Sequence, residues 1–558
     1  MSQITGAEAM VRMLQLHGVK HIFGLCGDTS LPFYDALYRL DHGMQHILTR
    51  DERSAAYMAD GYARVSGRVG VCEGPSGGGA TYLLPGIVEA NESSIPVLGI
   101  TTDIATTSRG RYTLTELDQE ALYRPLTKRS EVIDRADRLP EAVRRAFRAM
   151  TAGRPGATHL GLPFDVQNGQ VAAESVWAQA ELGSYPSRRA APDPAMVRRA
   201  AAAISAAKMP MFVCGGGVVI ANAEGELAAL ATLLGAVVTT TVSGQGSLAE
   251  DHPLCLGVVG SNGGTLPTRE ALAKADLVIF VGCRAGSVTT ERWRYPAPGI
   301  KVVHIDADPM VPGANYKTEV ALVADAKLAL SALLSELKPI EKKSGSQIVK
   351  AAKDRKFAEF RALAARDDVP ILPERIVATL NELLPPDAVV VCDPGTPCPY
   401  FSAYYEFRQA GRHFISNRAH GALGYSMAAA VGAHFGRPQA KTVAVMGDGS
   451  FGFTAGELET IARLRVPVMM VVISNSSYGW IKAGQKTGFG GRYFSVDFSR
   501  TDHARVAEAF GVKAWRVETA EQLKPALAAA AELGGPALVD IIAQPLQDAR
   551  APVSEWVA

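Results

Sequence analysis

Apolar residues along the chain follow two patterns. Short β-branched runs alternate with longer stretches whose apolar residues recur at helical spacing. The clearest runs are 211–214, 276–282, 442–446 and 466–473, and each reads as a buried parallel strand. Strand and helix alternate throughout, which predicts an α/β fold of three doubly wound parallel-sheet domains. Polar, proline-bearing text at 178–195 and charged text at 338–348 read as linkers. They divide the chain into 1–177, 193–337 and 350–558. Near the N-terminus, Thr5 and Glu8 have the spacing of a capping box opening a helix.

Bulk properties narrow the function classes. A chain of 558 residues suits three or four domains at about 150 residues each. The formal net charge of +1 gives no bulk field for nucleic acid or an acidic membrane. No apolar run approaches the ~18 residues of a spanning helix, and the N-terminus lacks the basic and apolar regions of a signal peptide. The seven cysteines include no CxxC pair, so they read as buried, reduced thiols of a cytoplasmic protein.

Chemistry concentrates after the 442–446 run. Gly447-Asp448-Gly449-Ser450 follows at once, then a helix, with Thr454 and Glu457 at capping-box spacing. Asn475 stands just beyond the next strand. If the two strands are parallel neighbours, Asp448 and Asn475 leave the same sheet edge, where open α/β sheets bind ligands. A carboxylate, an amide oxygen and turn N–H groups can hold a magnesium ion bridged to phosphate. Gly-Asp-Gly alone is an ordinary turn; the strand–turn–helix–strand context and the spaced Asn argue against that. Glu52 opens a second informative helix, whose apolar face is Ala55, Ala56, Met58, Ala59 and Tyr62. A lone glutamate there merely answers the helix dipole. In the middle third, Gly215–Gly217 after a strand and Asp306 after a later one fit either an adenine nucleotide or a fold with no ligand.

The GDG–Asn arrangement resembles the signature of thiamine-diphosphate-dependent enzymes. The phrase Arg50, Glu52, Ala55, Met58, Ala59, Gly61, Tyr62, Ala63, Arg64 resembles that family's glutamate helix, and Gly421, Leu423, Gly424, Gly432, Ala433 its cofactor-wedge phrase. The likeness spans the chain and points to the acetolactate synthase, benzoylformate decarboxylase and oxalyl-CoA decarboxylase branch. It implies a pyrimidine-binding, a central nucleotide-type and a diphosphate-binding domain in that order. It also implies thiamine diphosphate with Mg2+, and an obligate homodimer, often paired into a homotetramer, in which Glu52 and Asp448 of different subunits meet one cofactor. Glu52 would relay a proton at the aminopyrimidine so that a C2 ylid forms, and Leu423 would wedge between the two rings. Further cofactor contacts fall on Ser76, Gly395, Thr396, Gly421, Gly447, Gly449, Ser450, Tyr478, Gly479 and Trp480. Metal contacts fall on Asp448, Asn475 and Ser477. Asp28, Thr115 and His420 are substrate-side candidates; a turn former suits Asp28 and a buried, hydrogen-bonded histidine suits His420 equally well.

Departures from acetolactate synthases mark the substrate side. Their Phe-Gln-Glu is Leu114-Thr115-Glu116 here, and a tryptophan position is Gly484. Their flavin phrase is Arg284-Ala-Gly-Ser-Val288, which argues against FAD. The expected activity is a 2-oxo-acid decarboxylase/carboligase, a lyase or transferase working through an enamine. The Glu116-Leu-Asp-Gln119 text keeps oxalyl-CoA decarboxylase or 2-hydroxyacyl-CoA lyase as the alternative, with ADP or CoA in the central domain. A non-catalytic binding protein of the same fold is the third reading. The expected partner is a small-molecule 2-oxo acid or acyl-CoA, with no nucleic acid and no membrane.

Overall fold

The computed structural model describes residues 2–339 and 345–556. Residues 340–344, inside the segment read as a charged linker, lie outside the described residues. From Gly345 the chain is helical to Ala364 rather than flexible, because Val349, Ala352, Phe357 and Phe360 give that helix a buried face.

Three six-stranded sheets carry the fold, and every strand pairing within them is parallel. The first contains β1 (His21–Gly24), β2 (Gln45–Leu48), β3 (Gly70–Gly74), β4 (Val97–Asp103), β5 (Arg129–Val132) and β6 (Thr158–Pro163), in the order β2-β1-β3-β4-β6-β5. The second contains β7 (Pro210–Cys214), β8 (Val237–Thr240), β9 (Cys255–Val258), β10 (Leu277–Val281), β11 (Lys301–Asp306) and β12 (Val320–Val323), in the order β9-β8-β7-β10-β11-β12. The third contains β13 (Val389–Cys392), β14 (Phe414–Ser416), β15 (Thr442–Gly447), β16 (Val468–Ser474), β17 (Lys513–Val517) and β18 (Ala537–Ile542), in the order β14-β13-β15-β16-β18-β17. Central strands such as β13 and β16 are buried along their whole length, as helices on both faces require. The chain first reverses its direction of travel between β1 and β3, between β7 and β10, and between β13 and β15; the first and third sheets reverse again at the far edge, where β6 returns beside β4 and β18 beside β16. Those switch points open crevices at the strand C-terminal ends.

The central crevice is filled by the chain itself. Gly215 N–H donates to Val281 at 2.9 Å and Gly217 N–H to the Gly282 carbonyl at 3.1 Å. A Cβ built at Gly217 would lie 2.5 Å from Gly282 Cα. This close backbone approach accounts for the glycines that suggested a nucleotide.

The described residues form two compact units. The first comprises 1–188, 419–439 and 454–466; the second comprises 189–418, 440–453 and 467–558. Within the first, helix α1 (Glu52–Ser66) packs between α2 (Leu84–Glu92) and α3 (Tyr425–Gly436). Small residues set the spacing. A Cβ at Gly61 would fall 2.2 Å from the Ala429 carbonyl oxygen, one at Gly432 1.8 Å from that of Met58, and one at Gly86 2.4 Å from Ala56 Cβ. The part of the 178–195 segment up to residue 188 also belongs to this unit. Leu182 and Tyr185 are buried, and the Tyr185 hydroxyl donates to the Ala63 carbonyl at 2.7 Å.

The Thr5–Glu8 capping box is present, with both reciprocal bonds. The Thr454–Glu457 box is not. The helix there begins at Asp448, so Thr454 lies at its end and its hydroxyl has no partner. Glu457 instead accepts from Arg50 N–H and the Thr460 hydroxyl. All seven cysteines are free; six are buried and Cys26 is exposed. No described helix is long and apolar enough to cross a membrane.

Gly432→Leu forces a side chain into the Met58 backbone, which cannot yield as a flexible side chain would. A loss of about 1–3 kcal/mol or more is expected for such overpacking. It is read as a lowered urea midpoint; an unchanged midpoint contradicts the packing argument.

Candidate active site

In the first unit the site residues gather at the β1–β3 switch point. The Asp51 side chain caps α1 by accepting from Arg53 N–H at 2.8 Å, and this places Glu52 in the first turn. Glu52 is 7% exposed. Gly74 and Gly79 keep space for it, since a Cβ at either would come within 3.2 Å of Glu52 Cγ or 3.0 Å of Oε1. Burial pushes the Glu52 carboxyl above its usual range; its own backbone N–H opposes this, and the Asp51 and Glu73 carboxylates add to it.

Beside it runs a chain of hydroxyls. Thr29 Oγ1 lies 2.8 Å from Thr102 Oγ1 and 3.2 Å from Ser76 Oγ, and Ser76 Oγ lies 2.7 Å from Thr115 Oγ1. Thr115 sits at φ 67°, a conformation that β-branched residues rarely adopt and that marks stored strain. Asp28 opens a single 3-10 turn, its carboxylate accepting from Thr29 N–H at 2.8 Å; the turn-forming role read for it is thus present. His420 is exposed rather than buried. Its hydrogen bond is made by the main chain, which donates to Glu89 Oε2 at 2.7 Å. The loop it occupies turns through Gly421 and Gly424, at φ 75° and 82°, and Leu423 in it is half-buried.

Sequence reasoning missed two buried acids here, Glu73 and Glu89, both fully buried. Glu73 Oε1 accepts from the Tyr34 hydroxyl and lies 3.2 Å from His46 Nε2; Oε2 has no partner. The Glu73 carboxylate occupies the space a Cβ at Gly24 would need. An acid inside the otherwise apolar run 70–74 was the available signal.

In the second unit β13, β15 and β16 are adjacent, with Gly447 opposite Ile473. Asp448 and Asn475 therefore leave the same edge, with Gly395 and Thr396 following β13 beside them. Asp448 is 5% exposed. Its Oδ1 accepts from Gly449 N–H at 2.9 Å, and its Oδ2 from Asn475 and Ser476 N–H at 2.8 and 2.6 Å. Burial still pushes this carboxyl up, against those N–H groups. No Lys or Arg forms an ion pair with it among the described residues, so the donor set fits a hard cation supplied from outside. Asn475 Oδ1 accepts from Ser477 N–H at 3.2 Å and Oγ at 3.0 Å. Gly479 sits among these groups: its Cβ would lie 3.3 Å from Thr396 Oγ1 and 3.5 Å from Asn475 Nδ2. The Tyr478 ring covers Gly449. Trp480 packs on Trp556, ring centroids 5.1 Å apart. Ser450 is buried in the first turn of the helix that begins at Asp448. A Cβ at Gly395 would meet nothing within 4 Å, and one at Gly447 only a carbonyl at 4.0 Å. This chain supplies no steric reason for those glycines; an open cradle for a ligand does.

Residues 4–122 match the family described as thiamine pyrophosphate enzyme, N-terminal TPP binding domain. Residues 197–333 match its central domain and 393–541 its C-terminal TPP binding domain. The chain belongs to the thiamine pyrophosphate enzyme family, on the acetolactate synthase branch. It is 36% identical over 551 residues to the "Probable acetolactate synthase large subunit" of Methanocaldococcus jannaschii, covering 97% of this chain and 92% of that one. It is 32% identical over 549 residues to the "Acetolactate synthase large subunit" of Corynebacterium glutamicum, covering 97% and 87%. This is a thiamine-diphosphate-dependent enzyme that forms or breaks carbon–carbon bonds.

One pH dependence follows from Glu52. Its carboxyl is raised in the folded state, so stability tied to its protonated form is complete below the ordinary carboxylate range and is lost as pH rises through the raised value. Glu52→Gln escapes that loss. The cofactor-free variant should show a higher urea midpoint than the unsubstituted protein at neutral pH, and the gap should close on acidification. Equal midpoints at neutral pH would contradict it.

Proposed function

We propose that the enzyme is a thiamine-diphosphate- and Mg2+-dependent 2-oxo-acid decarboxylase and carboligase of the acetolactate synthase kind, working as a homodimer or homotetramer. The observation that carries the reading is Asp448, a buried carboxylate held by three backbone N–H groups with no Lys or Arg ion pair among the described residues, at a sheet edge lined by open glycines. Asp448 and the Asn475 amide oxygen would hold the metal. The Ser477 hydroxyl is committed to Asn475, so a contact from residue 477 would come from its carbonyl. Gly395, Thr396, Gly447, Gly449, Ser450 and Gly479 would receive the diphosphate, while Tyr478 and Trp480 would wall the site.

Bound thiamine diphosphate supplies a nucleophilic carbon and an electron sink. The protein's part is proton handling and orientation. Glu52, protonated more readily than an ordinary carboxylate and shielded from water, would give and take the proton at the aminopyrimidine ring. Leu423 would fix the bend between the rings. Thr115, through Ser76, would face the substrate where acetolactate synthases carry glutamine. Gly484 is a second departure, standing where those enzymes carry tryptophan. The domain boundaries 1–177, 193–337 and 350–558 and a cytoplasmic location accompany this reading. A coenzyme A thioester is the less favoured substrate, because the central glycines close on Gly282.

Two outcomes are expected. Purified protein with thiamine diphosphate and Mg2+ should release carbon dioxide from pyruvate or a larger 2-oxo acid, with a carboligation product identified by mass; release from oxalyl-CoA alone would overturn the reading. Glu52→Gln should lower kcat by roughly 10²-fold or more while thiamine diphosphate still binds. Asp448→Asn should instead weaken cofactor binding and its dependence on Mg2+, measured by titration calorimetry.

A further inference from the structure

Glu89 lies on α2, and its two carboxylate oxygens face different segments. Oε1 accepts from the Arg64 guanidinium of α1 at 3.0 Å and from the Ser93 hydroxyl at 2.6 Å. Oε2 accepts the main-chain N–H of His420 at 2.7 Å. Arg64 also holds Asp60 at 2.8 Å, and Asp60 accepts from the hydroxyl of Tyr425, the first residue of α3. Glu89, Asp60 and Tyr425 are fully buried. A buried network of charges thus reaches one main-chain atom of the 419–424 loop, just before Gly421 and Leu423.

The loop has little side-chain packing of its own at that end. Ala419, His420 and Gly421 are exposed, and a Cβ at Gly421 would meet nothing within 4 Å. Main-chain hydrogen bonds therefore decide where the segment lies, and a bond to a carboxylate is stronger than one to a neutral acceptor. The residue type matters as well. Only a carboxylate accepts on both oxygens, from Arg64 and from His420, at the same time. Gln would turn an NH2 group toward one of these two donors. A buried ion pair is weak evidence for stability alone, which leaves the loop as the reason for an acid at this position.

We propose that Glu89 is a positioning residue that holds the 419–424 loop by its backbone, so that Leu423 and Gly421 meet the cofactor in one geometry. The identity of the cofactor rests on the function proposed above; the hold on the loop does not. The test compares Glu89→Leu, Glu89→Gln and Ser93→Ala with the unsubstituted protein. Ser93→Ala is the control, since it removes a bond to the same carboxylate without touching the loop.

Amide hydrogen exchange is measured first on cofactor-free protein. The 418–424 peptide should exchange at least about tenfold faster in Glu89→Leu, by less in Glu89→Gln, and at the unsubstituted rate in Ser93→Ala. Thiamine diphosphate affinity, with Mg2+ present, should fall in the same order. Unchanged loop exchange in folded Glu89→Leu overturns the proposal, and so does equal loosening in Ser93→Ala. A loosened loop with unchanged cofactor affinity overturns it too. If Glu89→Leu does not fold, Glu89→Gln against Ser93→Ala decides by the same criteria. Failure of the unsubstituted protein to bind thiamine diphosphate would sink the proposed function instead, and with it the cofactor half of this inference, while the exchange data still judge the hold on the loop.

Discussion

Main-chain contact between α1 and α3 sets the geometry of the first unit. Gly61 and Gly432 each sit where any Cβ would strike a carbonyl of the facing helix, so the two backbones approach as closely as backbones can. Larger residues would hold them apart by the thickness of a side chain. At the observed spacing the Tyr425 hydroxyl reaches Asp60, and Arg64 spans from Asp60 to Glu89. The head of α1, where Glu52 stands, is then fixed by the same contact. A few glycines thus determine where an acid eight or more residues away can act.

Three buried carboxylates show three ways of holding charge away from water. Glu89 is paired with a guanidinium and bonded on both oxygens. Asp448 accepts from three backbone N–H groups, which orient it without neutralising it. Glu52 is raised above the usual carboxylate range chiefly by burial, with the Asp51 and Glu73 carboxylates adding to it and Arg53 opposing. The order of satisfaction, from Glu89 to Glu52, runs opposite to expected chemical involvement. Groups that must change partner during a reaction are left short of partners in the resting protein.

Much of this was legible in the text of the chain because it is local. Asp448 follows its strand at once, Asn475 follows the next, and Glu52 opens its helix; spacing alone places them. Parallel β-branched runs marked the sheets. What escaped depends on contacts remote in sequence. Glu89 bonds to His420 across 331 residues, and Glu73 meets Tyr34 across 39; neither partner is written near the acid. The Thr454–Glu457 spacing was misleading because the helix had already begun at Asp448. The 215–217 glycines left a nucleotide and a fold with no ligand equally open, since a sequence does not show that Gly282 lies against them. A buried, hydrogen-bonded role was one reading of His420, but the residue lies exposed in the loop that turns at Gly421 and Gly424.

The first and third sheets share one wiring diagram. Numbered by appearance within each sheet, both read 2-1-3-4-6-5 across the sheet, whereas the central one reads 3-2-1-4-5-6. Two modules of the same design therefore flank a differently wired one, and the two alike are those matching the N- and C-terminal TPP binding domains. Each of the two units carries a buried acid of its own, Glu52 in the first and Asp448 in the second. Loops at the strand C-terminal ends can therefore change which groups a crevice presents without redrawing the sheet that carries them.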